Sequence, residues 1–323
     1  MLIKNISSCI EKEIFKEISN YCDDNSLECY VIGGYVRDHL IGRTDSKDID
    51  ILIVGNGISV AKNIARKLKI KKVTVYKNFG TAMFMFKNFE IEFVGTRKES
   101  YDKNSRNPDV KPGTLLDDLN RRDFTINTIG LSLNKNSWGI VLDKFNGIQD
   151  LENGIIKTPL QAAKTFSDDP LRMLRAARFA SQLNFKIDKK SFEALCVEKS
   201  RIKIVSAERI SEELNKIILS KEPSVGFKIL ESSGILELIL PELTNLKGIE
   251  EIEGQKHKDN FYHTLEVLDN ICKSTEDLWL RWAALLHDIG KAPTKKFIKK
   301  IGWTFHGHEL KGSKMVFKIF KRL

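Results

Sequence analysis

The spacing of apolar and polar positions changes once along the chain. Up to about residue 115, short apolar runs alternate with helical stretches; beyond it a 3.6-residue period dominates. Residues 5–20 predict an amphipathic helix. Residues 29–32 read as a short buried strand, followed by Gly33-Gly34 and a short helix over 35–40. The segment 48–54 is rich in β-branched residues and alternates in its first half, so it reads as a strand. A helix is predicted over 58–69. Three more strands, at 72–76, 82–86 and 90–94, are joined by short turns, which predicts an antiparallel meander. The polar stretch 95–114 carries Gly95, Pro108, Pro112 and Gly113 and predicts a mobile loop. After it, the apolar run at 140–142 is the one remaining strand signal. Gly147, Asn153-Gly154 and Pro159 mark the junction to the helical part.

Length and composition narrow the class. A chain of 323 residues suggests about two domains. With 41% apolar residues it can build real cores, so global disorder is excluded. No run of about 18 apolar residues exists, so no membrane partner is expected. The first 20 residues lack the apolar core of a signal peptide. Five cysteines (Cys9, Cys22, Cys29, Cys196, Cys272) form no CxxC pair, which argues against a disulfide framework and points to a reducing, cytoplasmic location. The net charge is +10, and nine of those charges fall after Gly290, where nine lysines and one arginine face Glu309 alone. That tail reads either as a solvated lysine-rich face or as a phosphate-tracking surface for nucleic acid.

Candidate chemistry begins at Gly33-Gly34-Tyr35-Val36-Arg37-Asp38. Two glycines between a strand and a helix let the backbone approach a phosphate, and Arg37 could fork onto the same group. Asp48 and Asp50 follow at a spacing of two, which on a strand puts both carboxylates on one face. Like charges side by side repel unless a cation lies between them, and an oxygen-only pair suits Mg²⁺. A Mg²⁺ pair supports phosphoryl transfer.

The string GGYVRDHLIGRTDSKDIDILIVG resembles motif A of the DNA polymerase beta-like nucleotidyltransferases. Within that superfamily it looks like the class II CCA-adding tRNA nucleotidyltransferases and bacterial poly(A) polymerases. The resemblance implies that Asp48 and Asp50 bind the catalytic Mg²⁺ ions. It implies a third carboxylate on a later strand, for which Glu92 is the match, with Glu90 on the same strand face. The run from Arg121 to Asn127 looks like motif B, in which Arg122 and Asp123 would contact triphosphate and ribose. Asp143-Lys144-Phe145-Asn146-Gly147 resembles motif C. The block Asp168-Asp169-Pro170-Leu171-Arg172 resembles motif D, with Asp168 where many members carry Glu. In that motif Asp169 and Arg172 would pair with the edge of the incoming base. An acceptor beside a donor suits cytosine and adenine and rejects guanine and uracil. Arg172, Arg175 and Arg178 recur every three residues, a basic stripe on a helix, and the resemblance implies that Arg175 and Arg178 meet phosphates. The run from Ser206 to Leu214 resembles motif E, with a structural role.

Farther on, His263, then His287-Asp288 in LLHDIGK, then His306 and His308 resemble an HD domain. There His263, His287 and Asp288 would hold a second divalent metal. No aspartate follows Asp288, so the HD-like region is expected to be incomplete. The resemblance thus implies an α/β head (an antiparallel sheet with helices) followed by an all-α neck, body and HD-like region. The expected boundaries are 1–138 for the head, 139–200 for the neck, 201–253 for the body and 254–323 for the HD-like region. The implied activity is addition of CMP and AMP, from CTP and ATP, to the tRNA 3′ end. Two alternatives stay open: a poly(A) polymerase or A-adding enzyme with the same head, and an HD-type phosphohydrolase whose head merely binds nucleotide.

Overall fold

The computed structural model describes residues 7–102, 105 and 108–323. The chain divides into two compact units, Met1–Thr165 and Phe166–Leu323.

The first unit is built on a seven-stranded sheet. In chain order its elements are α1 (Glu13–Asp24), β1 (Cys29–Ile32), α2 (Gly34–Leu40), β2 (Asp48–Ile53), α3 (Gly57–Lys67), β3 (Thr74–Tyr76), β4 (Thr81–Phe86) and β5 (Phe89–Gly95). After them come β6 (Arg97–Ser100), β7 (Asp109–Pro112), α4 (Leu115–Asn120), β8 (Gly130–Ser132), β9 (Val141–Leu142) and α5 (Gly147–Glu152). The strand order is β3-β4-β5-β2-β1-β8-β9. The expected meander β3-β4-β5 is present and antiparallel. The pair β2–β5 is parallel, so the sheet is mixed. A parallel pair needs a crossover, and α3 with the β3-β4 hairpin supplies it.

Alternation gives the sheet two chemically different faces. Ile49, Ile51, Ile91, Phe93 and Phe84 are fully or nearly fully buried on one of them, where α3 and α1 bring Ile64, Phe15 and Ile18. Each such side chain contributes roughly 1.5–3 kcal/mol by leaving water. On the other face Ile32, Leu52, Val94 and Leu142 pack with Leu119 of α4. That apolar patch is continuous with the row that carries the acidic residues, because Leu52 and Val94 lie two residues beyond Asp50 and Glu92.

Three local expectations change. The first helix runs over Glu13–Asp24, preceded by a 3₁₀ turn at Ser7–Ile10, with Lys12 extended between them; positions 5 and 6 lie outside the described residues. Cys9 and Ile10 are buried like Ile14, so the apolar period runs straight through the break and hides it. Most of 95–114, expected as a mobile loop, contains the antiparallel ribbon β6–β7; positions 103, 104, 106 and 107 lie outside the described residues. Strand β8 gave no signal, because its three residues are all buried and so do not alternate.

The chain leaves the first unit through α6 (Ala162–Asp168). The second unit is helical: α7 (Leu171–Leu183), α8 (Lys189–Glu198), α9 (Ala207–Ile218), α10 (Pro223–Ser232), α11 (Ile235–Ile239) and α12 (Pro241–Thr244), then α13 (Asn260–Ile271), α14 (Leu278–Leu286), α15 (Lys291–Thr294) and α16 (His308–Arg322). Small hairpins at 251–256 and 296–304 interrupt it. Leu174 and Ala177 of α7 are fully buried, and α9 and α10 pack against that helix. No described helix is long and apolar enough to cross a membrane.

Candidate active site

The turn from β1 into α2 is set by Gly33, whose φ of +84° excludes most side chains. A Cβ at Gly33 would stand 3.3 Å from Asp50 Oδ2 and 3.5 Å from Arg122 Nη1. Its N–H donates to Ile129 O at 3.0 Å, so this glycine supplies room rather than a phosphate donor. Gly34 has ordinary space; a Cβ there would meet Arg37 Nη2 at 3.6 Å.

The carboxylates gather through strand register. Parallel pairing sets Asp48 beside Glu90 and Asp50 beside Glu92, and alternation points all four to one face. Asp48 is exposed, whereas Asp50, Glu90 and Glu92 are half-buried. Burial pushes the Glu92 carboxyl up to about 7, aided by the charges of Asp50 and Glu90 and opposed by Arg97 and Arg121. Acids crowded this way favour a cation among them, and an oxygen-only donor set suits a hard divalent ion.

Arginines and amides border the acids. Arg37 is buried; its Nη1 donates to Asn127 Oδ1 at 2.6 Å and its Nε to Asp38 Oδ1 at 2.9 Å. Asn127 Nδ2 donates to Asp123 Oδ1 at 2.9 Å, and Asp123 also caps the Phe124 N–H at 2.8 Å. Arg122 reaches toward Gly33, with Nη1 3.4 Å from Asn127 O. Asn127 thus joins Arg37, Arg122 and Asp123, a role that its place in the motif did not reveal. Asp118 is a second residue missed in the sequence: fully buried, it carries Arg121 on Oδ1 and Arg122 on Oδ2. The available signal was the four-residue spacing of Asp118 and Arg122. Asp143 caps α5, accepting from the N–H groups of Gly147 and Ile148 at 2.7 and 3.0 Å.

In the second unit the arginine stripe of α7 is mostly inside. Arg172 and Arg178 are each 8% exposed, and Arg175 is half-buried. Arg178 pairs with Glu213 of α9 at 3.2 Å and lies 4.3 Å from the Phe179 ring centre. Arg175 lies 5.2 Å from the same ring. Asp169 Oδ1 accepts the Leu171 N–H at 3.2 Å, and its carbonyl accepts the Arg172 N–H at 3.0 Å, which starts the helix. So Asp169 and Arg172 are held one turn apart.

The HD residues also converge. Ligand atoms of His263, His287 and Asp288 lie within 4.8 Å of one another. The His287 Nδ1 is 2.7 Å from Ala284 O, which leaves Nε2 for the cluster. Asp288 is buried; Lys291 Nζ stands 2.7 Å from its Oδ2, and His308 Nε2 3.6 Å from its Oδ1. His306 is exposed.

Comparison with known proteins agrees with this anatomy. Residues 29–157 match the poly A polymerase head domain, 184–247 the probable RNA and SrmB-binding site of polymerase A, and 260–323 the HD domain. The Multifunctional CCA protein of Neisseria meningitidis serogroup C is 32% identical over 303 residues, covering 92% of this chain and 68% of that one. The A-adding tRNA nucleotidyltransferase of Aquifex aeolicus is 36% identical over 205 residues, covering 64% of this chain and 24% of that one. A solved tRNA-processing enzyme with CTP superposes with a TM-score of 0.68 at 25% identity, over 94% of this chain and 74% of that one. The chain belongs to the family of CCA-adding tRNA nucleotidyltransferases and bacterial poly(A) polymerases, in the branch that carries a C-terminal HD domain.

Proposed function

We propose that this protein adds CMP and AMP, taken from CTP and ATP, to the 3′ end of tRNA. The terminal ribose hydroxyl attacks the α-phosphate, the bond to pyrophosphate breaks, and the chain grows by one nucleotide. The observation that carries this reading is the parallel register of Asp48 and Asp50 against Glu90 and Glu92, with Gly33 lying against both Asp50 and Arg122. Asp48 and Asp50, with Glu92 assisting, would hold two Mg²⁺ ions. Bound there, the ions would stabilise charge on the attacking and departing oxygens. Arg122 would clamp the triphosphate and Asp123 would accept from the ribose; Arg37 would brace both through Asn127. Asp169 and Arg172 would read the base edge, with Arg175 and Arg178 supporting the nucleotide side.

The reading divides the chain into a catalytic head (1–138), a base-selecting neck (139–200), an RNA-binding body (201–253) and an HD-like region (254–323). His263, His287 and Asp288 would take a second divalent metal; imidazole and carboxylate donors suit such an ion. The protein would work in the cytoplasm, where its five free thiols would stay reduced.

The test uses tRNAs ending before CCA, after C and after CC, each with one NTP at a time, with products read by length. Ordered C, C, A addition supports the reading. The Aquifex relative favours a narrower second reading, in which only the CC-ended tRNA is extended, with ATP. Long A tails would mean a poly(A) polymerase, and no extension of any substrate would end the transferase reading.

A further inference from the structure

We propose that Asp118 is a positioning residue that aims Arg122 at the nucleotide phosphates; this rests on the transferase reading above. Asp118 lies in a helix whose start is fixed. Thr114 and Asp117 cap it reciprocally, with Asp117 N donating to Thr114 Oγ1 at 3.2 Å and Thr114 N to Asp117 Oδ2 at 2.9 Å. Leu119 anchors the helix on the apolar half of the same sheet face that bears the acids. The Asp118 carboxylate is therefore placed by packing, with no solvent exposure.

A carboxylate this deep is retained only when paired. Here the two oxygens have different duties. Oδ1 takes Arg121 through Nε at 2.8 Å and Nη2 at 2.5 Å. Oδ2 takes Arg122 through Nε and Nη2, both at 3.2 Å. Two donors of a planar guanidinium on one oxygen fix the plane of the group. With that edge occupied, Nη1 of Arg122 lies 3.4 Å from Asn127 O and faces the space over Gly33, where a Cβ would stand 3.5 Å from it and 3.3 Å from Asp50 Oδ2. Arg121 goes the other way, its Nη1 3.4 Å from Glu99 Oε1 on β6. Glu99 in turn holds Arg97 at 2.8 Å and the Tyr101 hydroxyl at 2.5 Å. Of the two adjacent arginines, one is tied to the ribbon and the other is presented to the site, and Asp118 makes the division.

A free arginine side chain must surrender its rotamer freedom when it grips a phosphate. Asp118 removes that cost in advance. An interaction made alike in the ground and transition states appears in KM, not kcat. Loss of Asp118 should therefore raise KM and Kd for the nucleotide and leave kcat nearly alone. A merely structural residue would not produce that split.

The experiment compares full-length wild type, Asp118→Asn, Asp118→Glu, Arg122→Ala and the Asp118→Asn/Arg122→Ala double variant. Equilibrium binding of Mg²⁺-ATP is measured for each, with single-nucleotide addition of AMP to a CC-ended tRNA. Expected for Asp118→Asn is a rise in Kd and KM of roughly tenfold, with kcat within about threefold. Asp118→Glu, which keeps the charge, should recover most of it, and Asp118→Asn should add little in the Arg122→Ala background. An equal penalty in both backgrounds, or a fall in kcat at unchanged KM, overturns the proposal. If Asp118→Asn does not fold, Arg122→Lys decides: it keeps the charge but not the two-donor grip, and a wild-type Kd for ATP there also overturns it. A wild type that binds ATP yet extends no tRNA would sink the transferase reading while leaving the Kd comparison valid.

Discussion

Asp50 and Glu92 are register partners on adjacent parallel strands, and each presents its carboxylate to the same face of the sheet. The pairing depends on the crossover through α3, since an antiparallel β2–β5 pair joined by a tight turn would leave no room for that helix. The cost of the arrangement is visible at Glu92, held up to about 7 by burial and by its acidic neighbours. Charge crowding of this kind is tolerated in the folded chain because the apolar remainder of both strands is firmly packed.

Losing a carboxylate from β2 should remove catalysis and spare the fold. For Asp50→Asn or Asp48→Asn we expect the rate of nucleotide addition to fall on the order of a thousandfold, since a metal site contributes several kcal/mol of charge stabilisation. Circular dichroism and Tm should stay near wild type. Addition within tenfold of wild type in either variant would show that these carboxylates do not hold the reactive ions.

Glu92→Gln should separate stability from activity. With chelator present, removing one of the crowded charges should raise Tm by about 2–4 °C, while addition with Mg²⁺ slows. The two readouts move in opposite directions because the same charge is unfavourable without a cation and useful with one. A lower Tm in chelator together with full activity would contradict this account.

The two glycines of the first turn should behave differently, although they look equivalent in sequence. Gly33→Ala places a Cβ 3.3 Å from Asp50 Oδ2 in a backbone region nearly confined to glycine. It should cost roughly 1–3 kcal/mol of stability and most of the activity. Gly34→Ala meets only ordinary contacts and should be nearly silent. Denaturant midpoints and addition rates for the pair decide it, and equal effects would refute the distinction.

What the sequence revealed, and what it hid, follows the range of the interaction. Asp48 and Asp50 were legible because alternation is local: two residues on one strand share a face whatever the strand pairs with. That Glu92 stands beside Asp50, rather than Glu90, depends on a register between segments 42 residues apart, and the sequence left both open. Asp118 drew no attention in the sequence, and only the fold shows it fully buried with Arg121 on one oxygen and Arg122 on the other. The arginine stripe of α7 was visible at spacing three, but the pairing of Arg178 with Glu213 of α9 joins segments 35 residues apart, which no local pattern announces.

Arg178 and Glu213 form a nearly buried ion pair at 3.2 Å, so Glu213→Gln should remove one carboxylate charge from beside that guanidinium. The expected loss is about 1–3 kcal/mol, read from urea unfolding, larger than for substitution of the exposed Glu212 beside it. A loss below that of Glu212→Gln would mean that other contacts of Arg178 suffice.

Asp169 has one duty in the structure and a second in the proposed function, and one substitution can separate them. It receives the Leu171 N–H at the start of α7, a cap that Asn can also provide. Its proposed second duty is to accept from the exocyclic amine of cytosine or adenine, beside Arg172 as donor. An amide differs from a carboxylate in that it can also donate, so it can meet the carbonyl of uracil or guanine. Asp169→Asn should therefore keep the helix and Tm, and should let UTP or GTP compete by roughly ten- to a hundredfold more than in wild type, the range of one base-edge contact. Asp169→Ala loses the cap as well and should lower stability by about 1 kcal/mol. Arg175→Ala should weaken all four nucleotides by similar factors. Single-turnover addition of each NTP to CC-ended tRNA gives the comparison. If Asp169→Asn retains the wild-type preference for CTP and ATP, the carboxylate serves only to start the arginine-bearing helix, and base selection lies elsewhere.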